Sequence, residues 1–374
     1  MIYLDNNATT TPAAAVADAV CGCLRENFGN PSSSHHPGEK AKNAIEHARA
    51  LTAKLIGAKT NEIIFTSGGT EANNLAITGT ASRRGPGHII TSATEHPSVL
   101  NPLKHLGSLG FSITYLPVDR YGFVDPDDVS GNIRKDTVLI TVMHSNNETG
   151  TLQPIAEIGR IAKDNGITFH CDAAQSVGKV PINVKRLNID LLTVVPHKFH
   201  GPKGVGALYI KSGTKVSPLL FGASHERGLR PGTENVCSIV GLGMAAELAA
   251  KEMSERVSSM RRLTELFHKE LRSQIPGIKL NSPPSKRLPN TLNLSFPDIT
   301  GSALLERLKN DIAASTGSAC HEGRHTPSHV LKAMGISDKE AFSAVRFSLG
   351  RDNTGAQIEK AVKVIVKAYR SLCS

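Results

Sequence analysis

Lys198 closes the apolar run Asp190-Leu191-Leu192-Thr193-Val194-Val195-Pro196-His197 and opens the glycine-rich stretch Phe199-His200-Gly201-Pro202-Lys203-Gly204-Val205-Gly206. An amine held at the end of a buried strand loses solvation, which lowers its pKa and frees it to form a Schiff base with a carbonyl compound. Alone, it is more often the solvated lysine that commonly follows a strand. Upstream, Gly166-Ile167-Thr168-Phe169-His170-Cys171 reads as a short buried strand that delivers Asp172 at its end, where a carboxylate calls for a cationic partner. Further upstream, Ser67-Gly68-Gly69-Thr70 links the run Ile63-Ile64-Phe65-Thr66 to a helix. The free N–H groups of such a helix start, with the Thr70 hydroxyl, suit an anion.

A lysine, a carboxylate and an anion-binding turn in this order meet the needs of pyridoxal 5'-phosphate. Lys198 would bond its aldehyde carbon, Asp172 would keep its pyridine nitrogen protonated, and Gly69 with Thr70 would bind its phosphate. Gln175, three residues past Asp172, is in reach of the ring hydroxyl. A thiol of interest stands at Cys320, in Gly317-Ser318-Ala319-Cys320-His321-Glu322-Gly323-Arg324-His325, a polar stretch expected to form a mobile loop. His321, Arg324 and His325 are near enough in sequence to lower the thiol pKa. Arg346, expected at a strand end, suits a bidentate grip on a carboxylate.

The chain resembles the cysteine desulfurases of the NifS/IscS type and their relatives the selenocysteine lyases, in class V of the fold-type I pyridoxal-phosphate enzymes. The matching stretches run in order from Tyr3-Leu4-Asp5-Asn6-Asn7-Ala8-Thr9-Thr10 through Gly29-Asn30-Pro31-Ser32-Ser33, Phe65 to Asn74, Glu95-His96, His144-Ser145-Asn146-Asn147-Glu148-Thr149-Gly150 and Asp172 to Gly178. They continue with His197 to Gly206, Arg230-Pro231-Gly232-Thr233-Glu234-Asn235, Gly317-Ser318-Ala319-Cys320 and Val345-Arg346-Phe347-Ser348. The resemblance implies an α/β fold, with a large domain built on a mainly parallel seven-stranded sheet covered by helices and a smaller α+β domain. It implies that His96 stacks on the pyridine ring and shuttles a proton, and that Asn147 lies near the ring oxygen and the substrate. His197 and Thr70 would support the phosphate, and Thr233 would reach the phosphate of a neighbouring subunit, hence a homodimer. Cys320 becomes the nucleophile and Arg346 the clamp on the substrate carboxylate. The implied reaction converts L-cysteine to L-alanine and leaves a persulfide on Cys320, for delivery to a protein acceptor such as an iron–sulfur scaffold or a thiolation enzyme.

One position departs from the pattern. Val195 stands where the desulfurases commonly carry a phosphate-binding serine, and the selenocysteine lyases tend to be apolar there. With Pro97 directly after His96, this keeps open a lyase that releases selenium from L-selenocysteine. A class V aminotransferase, which would not need Cys320, and a non-catalytic scaffold for sulfur assembly, against which Lys198 and Asp172 argue, are the other readings.

The pattern of apolar residues must place these groups. Strand-like runs at Ile63-Ile64-Phe65, His88-Ile89-Ile90, Val138 to Val142, Ile167-Thr168-Phe169 and Leu191 to Val194 alternate with helical segments, among them a helix with Ala41, Ala44, Ile45, Ala48, Leu51 and Leu55 on one face. Such alternation is that of a parallel α/β sheet. A long helix from about Ser238 to Ser273 leads out of it, and the loop Asn281-Ser282-Pro283-Pro284 precedes a second unit. The expected division is a cofactor-binding domain at 13–250 and a small domain made of 1–12 and 251–374 that carries the Cys320 loop. A chain of 374 residues exceeds the usual single core, as two domains require.

Composition bounds the partners. The net charge is +10, from 43 Lys+Arg against 33 Asp+Glu, but the basic residues are scattered and aromatics make up only 4%, so no direct nucleic-acid binding is expected. Six cysteines (21, 23, 171, 237, 320 and 373) lack the spacing of a disulfide framework, and Cys21-Gly22-Cys23 is too tight for a zinc pair, so no metal is expected. The start Met1-Ile2-Tyr3-Leu4 carries no signal-like segment, and no apolar stretch approaches the ~18 residues of a membrane span. The expectation is a cytoplasmic protein without membrane attachment.

Overall fold

The computed structural model describes residues 1–83, 85–317, 319–321 and 324–373, with 319–321 and 324–325 described by their backbone alone. At its centre is a seven-stranded sheet in the order Ile63–Thr66, Gly206–Ile210, Leu191–Val194, Thr168–Asp172, Thr137–Thr141, His88–Ser92 and Ser112–Leu116. Gly206–Ile210 runs antiparallel to both neighbours, while the other strands share one direction. The interior strands His88–Ser92, Thr137–Thr141 and Leu191–Val194 are buried along their whole length, as expected when helices cover both faces, so apolar residues adjoin one another in them without alternation.

Two strands had no such signature. Ser112–Leu116 is a half-exposed edge strand with a polar face. Gly206–Ile210 begins inside what reads as a glycine-rich turn, because a Cβ on Gly206 would come within 2.8 Å of the Gly68 Cα. That close approach seats the turn at Gly68 against the sheet.

Of the apolar clusters among the described residues, the two largest lie one in each part of the chain. The first joins Phe65, Ile140, Phe169, Leu192 and Tyr209 of the sheet to Ile45 and Ile56 of the helix His36–Ile56. The second gathers Ile2, Leu4, Leu292, Leu294, Phe296 and Phe347, with the Phe267 and Phe347 rings edge to face at 5.2 Å. Its sheet pairs Thr291–Ser295 antiparallel with Ala344–Ser348, and Ile2–Tyr3 lies parallel to Ile312–Ala313. The helix Val236–Gln274 serves both cores, with Leu242 and Ala246 in the first and Leu263, Phe267 and Leu271 in the second. Its 39 residues run about 58 Å at the ~1.5 Å rise of an α-helix.

Candidate active site

In parallel sheets the site for chemistry lies beyond the carboxyl ends of the strands. Here that edge carries Gly69 and Thr70 after Ile63–Thr66, His96 after His88–Ser92, Asn147 after Thr137–Thr141, Asp172 closing Thr168–Asp172, and Lys198 after Leu191–Val194. They meet, with Gln175, His197 and Arg346, around one cavity of about 390 Å3.

Lys198 Nζ donates to the carbonyls of Asn7 and Ala8, both at 2.8 Å. Its pKa is lowered to about 8, first by burial and then by Arg346, against the pull of Asp172 and Asp5. An amine so placed is close to losing its proton at neutral pH. The N-terminal segment thus forms one wall of the cavity, and Asn7 is a cavity residue that sequence reasoning did not single out. Nothing local marks it, because its partner Lys198 is distant in the chain and is bound through the Asn7 main chain.

Asp172 is buried and fixed on both oxygens, by Asn73 Nδ2 at 2.8 Å and by the Ala174 N–H at 2.9 Å. Asn73 is itself held by the Thr193 hydroxyl at 2.6 Å, so the carboxylate has one orientation. His96 caps the helix Pro97–Ser108, its Nδ1 accepting the Ser98 N–H at 3.1 Å. Acceptance at Nδ1 places the proton of the neutral ring on Nε2. Desolvation holds this imidazole below its ordinary range, with Asp172 opposing and Lys198 adding to the effect. His197 is lowered to about 4 by burial and by the lysines around it, and its Nδ1 lies 3.1 Å from Thr9 Oγ1.

The helix Gly69–Ala81 starts without a side-chain cap, so its first N–H groups open on the cavity. Val195 lines the same corner, and a Cβ on Gly69 would sit 2.6 Å from its Cγ2. The apolar residue thus packs on the turn in place of donating to a ligand there.

Arg346 was expected at a strand end. It lies in the middle of Ala344–Ser348, where alternation turns Val345 and Phe347 into the second core and leaves Arg346 on the other face. Its Nη2 donates to Asp5 Oδ1 at 2.7 Å and its Nη1 to the Asn147 carbonyl at 3.2 Å, while its buried Nε has no partner among the described residues. Asp5, like Asn73, was not anticipated as part of the site.

Two expected residues stand apart. Thr233 is exposed and does not line the cavity. Cys320 lies in Ala319–His321, which pairs antiparallel with Arg324–Thr326, so the backbone expected as a loop contains a two-stranded ribbon. The Cys320 side chain, with Ser318, Glu322 and Gly323, falls outside the described residues.

The aminotransferase class-V family pattern matches residues 2–361. The chain is 49% identical over 375 residues to the cysteine desulfurase IscS of Dictyoglomus turgidum, a match covering 99% of this chain and 95% of that protein. Among solved structures, a NifS-like protein superposes with a TM-score of 0.93 at 38% identity, over 99% of both chains. A structure described as SspA in complex with cysteine superposes with a TM-score of 0.84 at 38% identity, over 95% of this chain and all of that one.

Proposed function

We propose that this chain, which belongs to the aminotransferase class-V family and within it to the cysteine desulfurases, converts L-cysteine to L-alanine with pyridoxal 5'-phosphate as cofactor and leaves the sulfur as a persulfide on Cys320. The observation that carries the reading is the meeting of Lys198, Asp172 and the uncapped turn at Gly69 in one cavity, from the ends of three different strands. That donor set fits the cofactor: an amine for an aldehyde, a fixed carboxylate for a pyridinium, and free N–H groups for a phosphate. Bound there, the cofactor supplies an electron sink for the carbanion at the substrate Cα.

The residues of the chain do the rest. The N–H groups of Gly69 and Thr70 hold the phosphate, with the Thr70 hydroxyl and His197 beside them. Asp172, locked by Asn73 and Ala174, keeps the pyridine nitrogen protonated. Lys198, its pKa near 8, carries the substrate proton away from Cα and returns it. His96, with its proton on Nε2, faces the cavity as the shuttle for the proton of the departing group. Arg346 has its Nε free for the substrate carboxylate while Asp5 and Asn147 hold the other two nitrogens. The Cys320 thiolate takes the substrate sulfur: the Cβ–S bond breaks, an S–S bond forms, and the electron pair left on carbon is protonated. One L-cysteine and one enzyme thiol thus give one L-alanine and one enzyme persulfide.

The active form in this reading is a homodimer, in which Thr233 of each chain reaches the phosphate site of the other. Support comes from the exposure of Thr233 and of Phe221, which is 90% exposed a short way before it. The persulfide then passes to a nucleophilic acceptor on another protein, such as an iron–sulfur scaffold or a thiolation enzyme. A second reading, release of selenium from L-selenocysteine, is favoured by the apolar Val195 at the phosphate corner.

The deciding experiment offers L-cysteine and L-selenocysteine side by side to the purified, cofactor-loaded protein and measures alanine. Alanine from cysteine, an added sulfur on the Cys320 peptide by mass spectrometry, and loss of both in Cys320→Ala are expected. Undiminished alanine from cysteine in Cys320→Ala, with no sulfur on that peptide in the wild type, sinks the desulfurase mechanism. Borohydride reduction of the loaded protein is expected to label Lys198, and a label on another lysine sinks the cofactor assignment.

A further inference from the structure

A second buried lysine stands behind the cavity. Lys179 is 5% exposed, and its Nζ donates to Gln175 Oε1 at 2.9 Å and to Asn7 Oδ1 at 3.0 Å. Neither contact depends on its charge, since a neutral amine still has two N–H hydrogens for two acceptors. The orientation of the Asn7 amide is set independently. Its Oδ1 accepts from Asn290 Nδ2 at 3.2 Å, and its Nδ2 donates to the Asn147 carbonyl at 3.2 Å and to Thr291 Oγ1 at 2.9 Å. Gln175 in turn gives one N–H to the Asn7 carbonyl at 2.8 Å. Flipping the Gln175 amide would set its oxygen against that carbonyl and its NH2 against the Lys179 amine.

Gln175 therefore has its oxygen engaged at the back and one N–H engaged at the side, and it lines the cavity together with Asp172 and Lys198. We propose that Lys179 is a positioning residue: by occupying Gln175 Oε1 it makes Gln175 present its remaining N–H, and not its oxygen, to the ring oxygen of the bound cofactor. This rests on the pyridoxal-phosphate reading above and specifies how the chain tunes that group. A donor at the ring oxygen stabilises its deprotonated form and weakens the hold of the Lys198–cofactor linkage on its proton. The linkage then gives up its proton at a lower pH than it would beside an amide oxygen. Burial, Lys198 and Arg346 all press on the Lys179 charge and hold its pKa well below that of a free lysine. A lysine kept in such a place at that cost has a task that an apolar side chain would not perform.

The test is a pH titration of the visible absorption band of the protein loaded with pyridoxal 5'-phosphate. It compares the wild type with Lys179→Met, Gln175→Ala and the double variant, and thermal melting of each apoprotein checks the fold. Lys179→Met is expected to raise the midpoint, lowering the proton dissociation constant roughly three- to tenfold. In the Gln175→Ala background the same change is expected to add almost nothing, because the lysine acts through the glutamine. Gln175→Glu, which offers no N–H, removes the donor while Lys179 keeps an oxygen partner at position 175, and it is expected to raise the midpoint as well; it carries the test if Lys179→Met does not fold. An unmoved midpoint in Lys179→Met or Gln175→Glu, or an undiminished effect of Lys179→Met when Gln175 is absent, overturns the proposal. A wild type with no visible band would instead remove the cofactor reading, and this proposal with it.

Discussion

Lys198 and Arg346 show how a site can hold two cations a short distance apart and still be reactive. Burial and the Arg346 charge push the Lys198 amine down to about 8, whereas Asp172 and Asp5 keep it from falling further. Only the neutral amine attacks an aldehyde, and it is the minor form below that pKa and the major form above it. Uptake of pyridoxal 5'-phosphate by the apoprotein is therefore expected to quicken from pH 7 to 9 with a midpoint near 8, followed as the growth rate of the visible band. Arg346→Ala removes both the proposed carboxylate clamp and the neighbour that depresses Lys198. Its KM for L-cysteine is expected to rise roughly ten- to a hundredfold, the value of one charge-assisted hydrogen bond worth about 1.5–3 kcal/mol. Its midpoint for cofactor uptake is expected to move to higher pH. Steady-state kinetics with an unchanged KM would show that another group holds the carboxylate.

Elements that never touch the cavity fix its rim. Arg49, on the helix His36–Ile56, makes a two-pronged pair with Glu226 at 2.7 and 2.8 Å and also donates to the Ile63 carbonyl. Glu226 accepts the Phe65 N–H at 2.7 Å and sits, like Arg227, at positive φ, in a turn ahead of Thr233. Arg49→Met leaves a buried carboxylate without its cation, and a loss of about 3–5 kcal/mol is expected in urea unfolding. What the sequence made legible follows from the same physics. Asp172, Lys198 and Gly69 stand at the ends of apolar runs, so periodicity marks their places, and the order of residue types names the chemistry. Asn7, Asp5 and Lys179 belong to hydrogen bonds between distant segments, which leave no period. Ser112–Leu116 was missed because an edge strand keeps a polar face, and Arg346 was set at a strand end because a charged residue between Val345 and Phe347 reads as a boundary until its opposite face is known to line a cavity.

At the scale of the molecule, large apolar side chains remain in water where the proposed dimer would cover them. Phe221 is 90% exposed and Phe28 79%, and the segments that follow them meet at a groove of about 560 Å3 lined by Pro31, Ser32, Ala223 and His225. Phe221→Asp is expected to shift the sedimentation coefficient from that of a dimer to that of a monomer and to weaken retention of the cofactor, as Thr233 is withdrawn. A wild type that sediments as a monomer would end the dimer reading. The pairing of Ile2–Tyr3 with Ile312–Ala313 has a further consequence, for the growing chain on the ribosome. Ile2–Tyr3 waits for a partner some three hundred residues further along the chain, and Ile63–Thr66 must likewise wait for Gly206–Ile210. Until then the segment that carries Asn7 has its contacts with Gln175, Lys179 and Lys198 but not the strand that pairs with Ile2–Tyr3. Nascent protein therefore spends most of its synthesis with apolar edges unpaired, the interval in which chaperones have most to shield.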